Sequence, residues 1–202
     1  MNIPQHIIKH VESLPGMLDE DKAIILWVAG GLKPSAMVVA QGDAYFKDAV
    51  PVKYPQSAHD EIEHVLKDLN LSFVKTSEVM EARELNGKER LQDVVRVYIA
   101  PKPETAQKLK VLFDDVQHNH TEIGHLLGYP ATAVEAFLTD TMLPMEETPE
   151  YTETVSASDM KLLHHRLSKD HWINEVAYLT TYGTFLREAS PSLYASITTA
   201  QQ

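Results

Sequence analysis

The segment 118–138, HNHTEIGHLLGYPATAVEAFL, constrains the fold of this chain more than any other stretch. Its Leu126-Leu127-Gly128-Tyr129-Pro130 run cannot continue a helix. Proline brings no backbone donor, and glycine accepts the left-handed conformation in which helices end. Helical spacing is present on both sides of the break, so a helical hairpin is predicted over 121–138. Ile123 and Leu127 should anchor its first helix, with Gly124 as the small residue where the helices cross. Gly128, Tyr129 and Pro130 form the structural turn, and Val134 and Phe137 should anchor the second helix.

The same spacing fits a helix-turn-helix, which would make the chain a transcriptional regulator. Charge opposes that reading. From Val111 to Met160 there is no lysine or arginine, while Asp114, Asp115, Glu122, Glu135, Asp140, Glu146, Glu147, Glu150, Glu153 and Asp159 fall in that span. A helix reading Ala-Thr-Ala-Val-Glu-Ala-Phe has nothing to neutralise phosphate and little to read a base edge. The whole chain carries 29 acidic against 18 basic residues, a formal net charge of -11. Neither a nucleic-acid partner nor an anionic membrane is expected.

A third reading of the segment is metal binding. His118, His120, Glu122 and His125 are potential ligands, and Glu122-x-x-His125 places two of them on one helical face. A second Glu-x-x-His lies at Glu61–His64. A di-metal bundle would need two such helices plus two more glutamate-bearing ones, and the strand-like segments between them break that architecture. A mononuclear site of His118, His120 and His125, joined by His164 or His171, would suit zinc or iron. The plainer alternative is that His118-Asn119-His120 caps a helix junction. The chain contains no cysteine, so thiolate ligands, disulfides and thiol nucleophiles are excluded.

The remaining sequence sets the frame. A helix is predicted after Pro4, with Ile7, Ile8 and Val11 on one face, ending at Pro15-Gly16. Asp19 should cap a second helix through Ala29. The apolar run Ala23–Leu32 is too short to span a bilayer and reads as a buried core helix. Gly30-Gly31-Leu32-Lys33-Pro34 offers a helix stop or, in a second reading, a backbone nest for an anion. Ala36–Ala40 and residues 71–76 read as strands, and Val94–Ala100 is the clearest strand. Residues 42–56 look irregular, and 77–92 look ambiguous, with a helix broken at Asn86-Gly87 as one reading. Helices are predicted at 57–69, 103–117, 158–168 and 172–188, with a short last helix from Pro191. His164 would lie on the Met160–Leu163–Leu167 face, the usual position of a core histidine, and Asp170-His171-Trp172 could supply an acid–base pair but more simply caps the helix that follows. Residues 139–157 are acidic and proline-punctuated, a long loop, lid or connector. The N-terminus lacks the basic and apolar regions of a signal peptide.

No Gly-x-Ser-x-Gly elbow, phosphate-cradling glycine loop or dinucleotide fingerprint occurs. Ile123-Gly124-His125-Leu126-Leu127-Gly128-Tyr129-Pro130, followed by Val134 and Phe137, resembles the Gly-x-Leu-Leu-Gly-Tyr-Pro motif of an uncharacterised prokaryotic family, domain of unknown function 483. Gly31-Leu32-Lys33-Pro34, the strand at 94–100 and Pro191-Ser192-Leu193-Tyr194 are similar to it in order and spacing. Thr132 and Ala133 stand where that family carries a cysteine pair, and Arg166–Asp170 replaces a further cysteine-bearing segment. The resemblance implies a fold and a prokaryotic origin and supplies no reaction.

The expectation is therefore a single cytoplasmic α+β domain over 1–202, helix-dominated with a small two- to three-stranded sheet. It would include the hairpin at 121–138, the acidic loop at 139–157 and a C-terminal helical part at 158–202. The leading function is a non-catalytic binding or interaction module, with a protein or small-molecule partner. The alternatives are a histidine-based metal protein or metal-dependent hydrolase, and a helix-turn-helix regulator.

Overall fold

In the computed structural model, residues 3–199 are described apart from 47–56, 77, 78, 86, 87, 116 and 118. Two helices, α1 (Gln5–Glu12) and α2 (Asp19–Ala29), precede strand β1 (Ala36–Phe46). Helix α3 (Ser57–Asp68) leads to β2 (Ser72–Lys75), β3 (Val79–Leu85) and the long β4 (Lys88–Ala100). Helices α4 (Pro103–Asp114), α5 (His120–Leu126) and α6 (Ala131–Leu138) follow. The chain ends in α7 (Ala157–Met160), α8 (Trp172–Glu175), α9 (Leu179–Ala189) and α10 (Pro191–Thr199). The fold is helix-dominated α+β, as the sequence predicts.

All the strand pairings are antiparallel, and β4 is the centre of the sheet. One side of β4 takes β1 along its length, from Ala36 opposite Ile99 to Phe46 opposite Arg90. Its other side takes β2 at Val97–Ala100 and β3 at Lys88–Val94, end to end. Four strands thus fill three lanes. Within 77–92, for which a broken helix was one reading, residues 79–85 instead form β3 and 88–92 the start of β4. Leu85 pairs with Lys88 across Asn86-Gly87, a dipeptide that is itself a strong hairpin signal. β1 also continues to Phe46, into the region expected to be irregular, and the rest of that region lies outside the described residues.

Strand periodicity divides the core in two. Val95, Val97 and Ile99 of β4 share a face with their partners Ala40, Val38 and Ala36, and all are buried in the larger core. There they meet α1, α2, α3, α9 and α10 through residues such as Ile8, Trp27, Leu66, Leu186 and Ile197. Tyr98 and its partner Met37 point to the opposite face, into a smaller core with Leu109, Ile123 and Leu127. The period of two that sends alternate side chains to opposite faces thus explains why β4 is apolar on both faces from Val94 to Ala100, apart from Arg96. Helix α2 is buried on nearly every side, as its unbroken apolar run requires. Its first residue is Asp19, which makes no N-cap bond and instead accepts from Lys22 at 3.0 Å.

The C-terminal part departs most from expectation. The helix predicted over 158–168 stops at Met160, and Leu162 and Leu163 donate back to Asp159 and Met160 in a tight turn. The chain then continues without helix and joins the 139–157 loop at one isolated bridge. Leu143 N–H donates to Leu167 O at 2.7 Å, Lys169 N–H to Thr141 O at 3.1 Å, and Met142 bridges Ser168. Residues 139–157 therefore form a pinned loop with one 3-10 turn at Met145–Glu147 and a buried Val155. The helix predicted over 172–188 is two pieces, α8 and α9. Ala177 and Leu179 donate three residues back between them, at 3.4 and 3.0 Å, which overwinds the backbone there. Glu175, the last residue of α8, is turned inward and buried. Among the described residues no helix is long and apolar enough to cross a membrane.

Candidate functional site

The hairpin forms around its glycines. Helix α5 ends with Gly128 N–H donating to His125 O and Tyr129 N–H donating to Gly124 O, both at 3.0 Å, with Gly128 at φ +74°. This is the Schellman pattern, and it needs a residue tolerant of positive φ. Gly124 lies where α5 and α6 cross, and a Cβ there would sit 2.6 Å from Val134 Cγ2. Ile123, Leu127 and Val134 are buried as expected. Phe137 is not an anchor: it is 49 % exposed and meets the His120 ring edge-on at 5.2 Å. It falls on the open side because Ala133, Val134 and Ala136 already cover the neighbouring elements.

The hairpin is tied to the turn after α2. Ser35 Oγ donates to Leu126 O at 2.5 Å, and Lys33 Nζ donates to Leu127 O. Two carbonyls left open at the end of α5 are thereby satisfied by side chains from residues 33–35. A Cβ on Gly128 would lie 2.6 Å from Pro34 Cδ. Gly128→Ala should therefore lose about 2–4 kcal/mol, combining left-handed strain with a crowded contact. Urea unfolding would show it, and an unchanged midpoint would count against this joint. Residues 30–33 hold no anion nest, because each of their N–H groups already donates to a carbonyl of α2.

Lys33 is the unexpected centre of this region. It is 2 % exposed, lies 3.0 Å from His164 Nε2, and sits 4.9 Å from the Tyr129 ring centroid. Burial lowers the Lys33 amine to about 7. His164 packs between Trp27, Tyr182 and Tyr129, with its Nδ1 3.3 Å from Leu162 O. An Nδ1–H tautomer would donate to that carbonyl and leave Nε2 to accept from Lys33. Burial, then Lys33 and His165, bring His164 down to about 3. It is a core histidine, as its apolar surroundings suggested, though it stands on a non-helical segment.

His165 differs from its neighbour. Its two ring nitrogens are buried, and among the described residues neither has a hydrogen-bond partner. Burial and Lys33 lower it to about 4, against an opposing pull from Glu175. Buried polar atoms are rarely left in this state unless something else supplies the bond. His165 lines a cleft of about 220 Å³ between the hairpin and the 165–166 segment. Gly124, Tyr129, Val134 and Phe137 contribute to its walls, and Arg166 lines it with His165. A second cleft of about 600 Å³, beside the 143–150 loop, also includes His165 and Arg166. Glu175 holds this segment in place. Its carboxylate accepts from Ser168 N–H at 2.8 Å, Ser168 Oγ at 2.7 Å and Thr132 Oγ1 at 2.6 Å, tying α6 to the non-helical segment.

Of the expected metal ligands, His120, Glu122 and His125 lie along α5. His118 lies outside the described residues. Glu122 is engaged by Lys108 at 2.5 Å and caps α5 with Asn119, whose Oδ1 accepts from Glu122 N–H at 3.1 Å. His125 is exposed, and His120 packs on Phe137 at the cleft. His171 is exposed beside the start of α8. Among the described residues no three histidine, aspartate or glutamate side chains come close enough to hold a metal ion. Sequence reasoning treated Lys33 as part of a helix stop or an anion nest, set His165 aside from the apolar face, and gave Arg166 and Glu175 no site role. A lone lysine after a wholly apolar helix was a usable signal for burial. The non-helical path of 162–167 left none, because its Leu-Leu-His-His-Arg-Leu spacing equally suits a helix.

No protein-family model matches the chain, and no curated protein or solved structure is similar to it.

Proposed function

We propose that this chain is a non-catalytic binding module for a small molecule, seated in the cleft between the α5–α6 hairpin and the His165–Arg166 segment. The observation that carries the reading is the open apolar cleft itself, walled by Ile123, Val134 and Phe137 with Tyr129 and Arg166 at its edge. Small-molecule sites are concave, mainly apolar and supplied with a few convergent polar groups. At about 220 Å³ the cleft is below the roughly 300–1,000 Å³ of drug-sized sites, so it suits a compact ligand with one ring or branched chain. The exposed faces of α6 carry Glu135, Phe137 and Leu138 and no basic residue, which favours a small molecule over a nucleic acid.

Indole added to labelled protein should shift the amide resonances of Gly124 and Tyr129. Ala133→Leu, which fills the cleft from its wall, should abolish those shifts. Phe137→Ala, on an exposed ring, should weaken them at unchanged melting temperature. Shifts that survive both substitutions would sink this reading.

A further inference from the structure

We propose that the His165–Arg166 segment is an acid-sensitive latch. Protonation of His165 would turn its ring out of the core and join the two clefts that flank the segment. As a control of access to the cleft, this rests on the small-molecule reading, but the opening itself is read without a ligand.

Both residues line both clefts, of about 220 and 600 Å³, so they form the partition between them. The partition is fixed at its ends. Leu163 N–H donates to Met160 O at 3.1 Å, and Leu167 O accepts from Leu143 N–H at 2.7 Å. Between those points, among the described residues, the N–H groups of His164, His165 and Arg166 donate to no acceptor. His164 is tied through its ring, which lies 3.0 Å from Lys33 Nζ. His165 has no such tie among the described residues, because both its nitrogens are buried without a partner. Tyr129 and Tyr178 retain it by contact alone, with ring centroids 5.2 and 5.8 Å away. Taking that ring out breaks no polar bond and gives two buried nitrogens access to water. Segments with few backbone bonds are the ones that open locally while the rest stays folded.

Charge makes the opening acid-driven. Burial, then Lys33 from the turn after α2, brings His165 down to about 4, and Glu175 of α8 pulls the other way. Glu175 is already engaged by Ser168 and Thr132. Tyr129 and Tyr178 stay neutral, burial pushing both hydroxyls up, and His164 stays neutral with its ring at about 3. His120 and Arg166 face the smaller cleft, and Glu150, Lys161 and Arg166 the larger. Once turned into water, the His165 ring would take a proton near the ordinary histidine value of about 6.5. The open form therefore binds the proton more tightly, and its population grows as pH falls from about 6.5 toward about 4. Between about pH 7.5 and about pH 5 the ratio of open to closed should rise roughly thirtyfold.

The chain contains no cysteine, so one introduced thiol reports accessibility cleanly. Ala133 walls the smaller cleft and is 4 % exposed, and Val38 is fully buried in the larger core. Dipyridyl disulfide, a two-ring reagent that reacts in acid, is too large for a one-ring cleft. Its rate with each variant, divided by its rate with free cysteine at the same pH, follows the open population when reclosing outpaces labelling. For Ala133→Cys this normalised rate should rise roughly thirtyfold from about pH 7.5 to about pH 5. At the lower pH it should exceed that of Val38→Cys about tenfold or more. Adding His165→Gln, which leaves no ring to protonate at this position, should remove the rise. An Ala133→Cys rate that stays flat with pH would overturn the latch. Equal rates for Ala133→Cys and Val38→Cys would assign the reactivity to global unfolding and also overturn it. A rise that persists in His165→Gln would overturn the role of His165. The comparison of the two thiols retains His165 and decides the matter even where His165→Gln does not fold. None of these readouts involves indole, so the cleft reading stands or falls separately.

Discussion

Lowering the pH from 7 to 4 should destabilise the protein by roughly 4 kcal/mol, the net of opposing proton-linked effects. His164 and His165 fall from ordinary histidine values to about 3 and about 4 in the fold, chiefly because burial disfavours the charged ring. Their folded values lie below their unfolded ones, so between pH 6.5 and the folded values the unfolded chain binds more protons. The stability they contribute is present above about pH 6.5 and is lost as pH falls, roughly 6 kcal/mol for the pair by pH 4. Asp21 works the other way. Burial raises it to about 6, with a bond from Val39 N–H opposing the rise. Its ionised form therefore disfavours folding, and protonation between pH 6 and 4 returns about 2 kcal/mol. Urea unfolding across this range would measure the slope. Asp21→Asn should make it steeper and should stabilise the protein at pH 7. A stability that is flat from pH 7 to 4 would contradict the burial of the two imidazoles.

Gly183→Ala should cost about 3 kcal/mol or more. Gly183 faces Asp159, and a Cβ there would lie 2.6 Å from Asp159 Cγ and closer still to Oδ1. Asp159 cannot easily retreat. It is 3 % exposed, and Oδ1 accepts from Arg187 at 2.8 Å and from Tyr194 OH at 3.0 Å. Displacing it breaks a charged bond network that joins α7, α9 and α10. The clash predicts strong coupling in a double-mutant cycle: Asp159→Ala should be costly alone but should make Gly183→Ala nearly neutral. A Gly183→Ala variant within about 1 kcal/mol of wild type would mean that Asp159 and α9 are not packed this way.

Local patterns conveyed a good part of this architecture. Ile7, Ile8 and Val11 mark the buried face of α1, and Leu179, Gly183 and Leu186 that of α9. The Gly124 crossing and the left-handed Gly128 follow from turn chemistry within a few residues. The hairpin of β3 and β4 was legible too, in Asn86-Gly87, but its charged flanks concealed the strand period. Less of the candidate site could be read. His118, His120, Glu122 and His125 are close in sequence, yet the side chains of the proposed site come from residues 120–142 and from 165–166.

The sequence by itself determined that a helix must end at Leu127, that α2 must be buried, and that cysteine chemistry is excluded. These follow from glycine, proline and apolar runs, whose effects act over one or two turns of chain. Only the tertiary structure decided what caps that helix end and where the histidine pair goes. Lys33 reaches Leu127 O across 94 residues and lies against His164 across 131. The reason is physical: a carbonyl left open at a helix end, or an imidazole displaced into the core, needs a partner, but its own sequence neighbourhood does not say which distant side chain will supply it. For His165 no side chain of the described residues does.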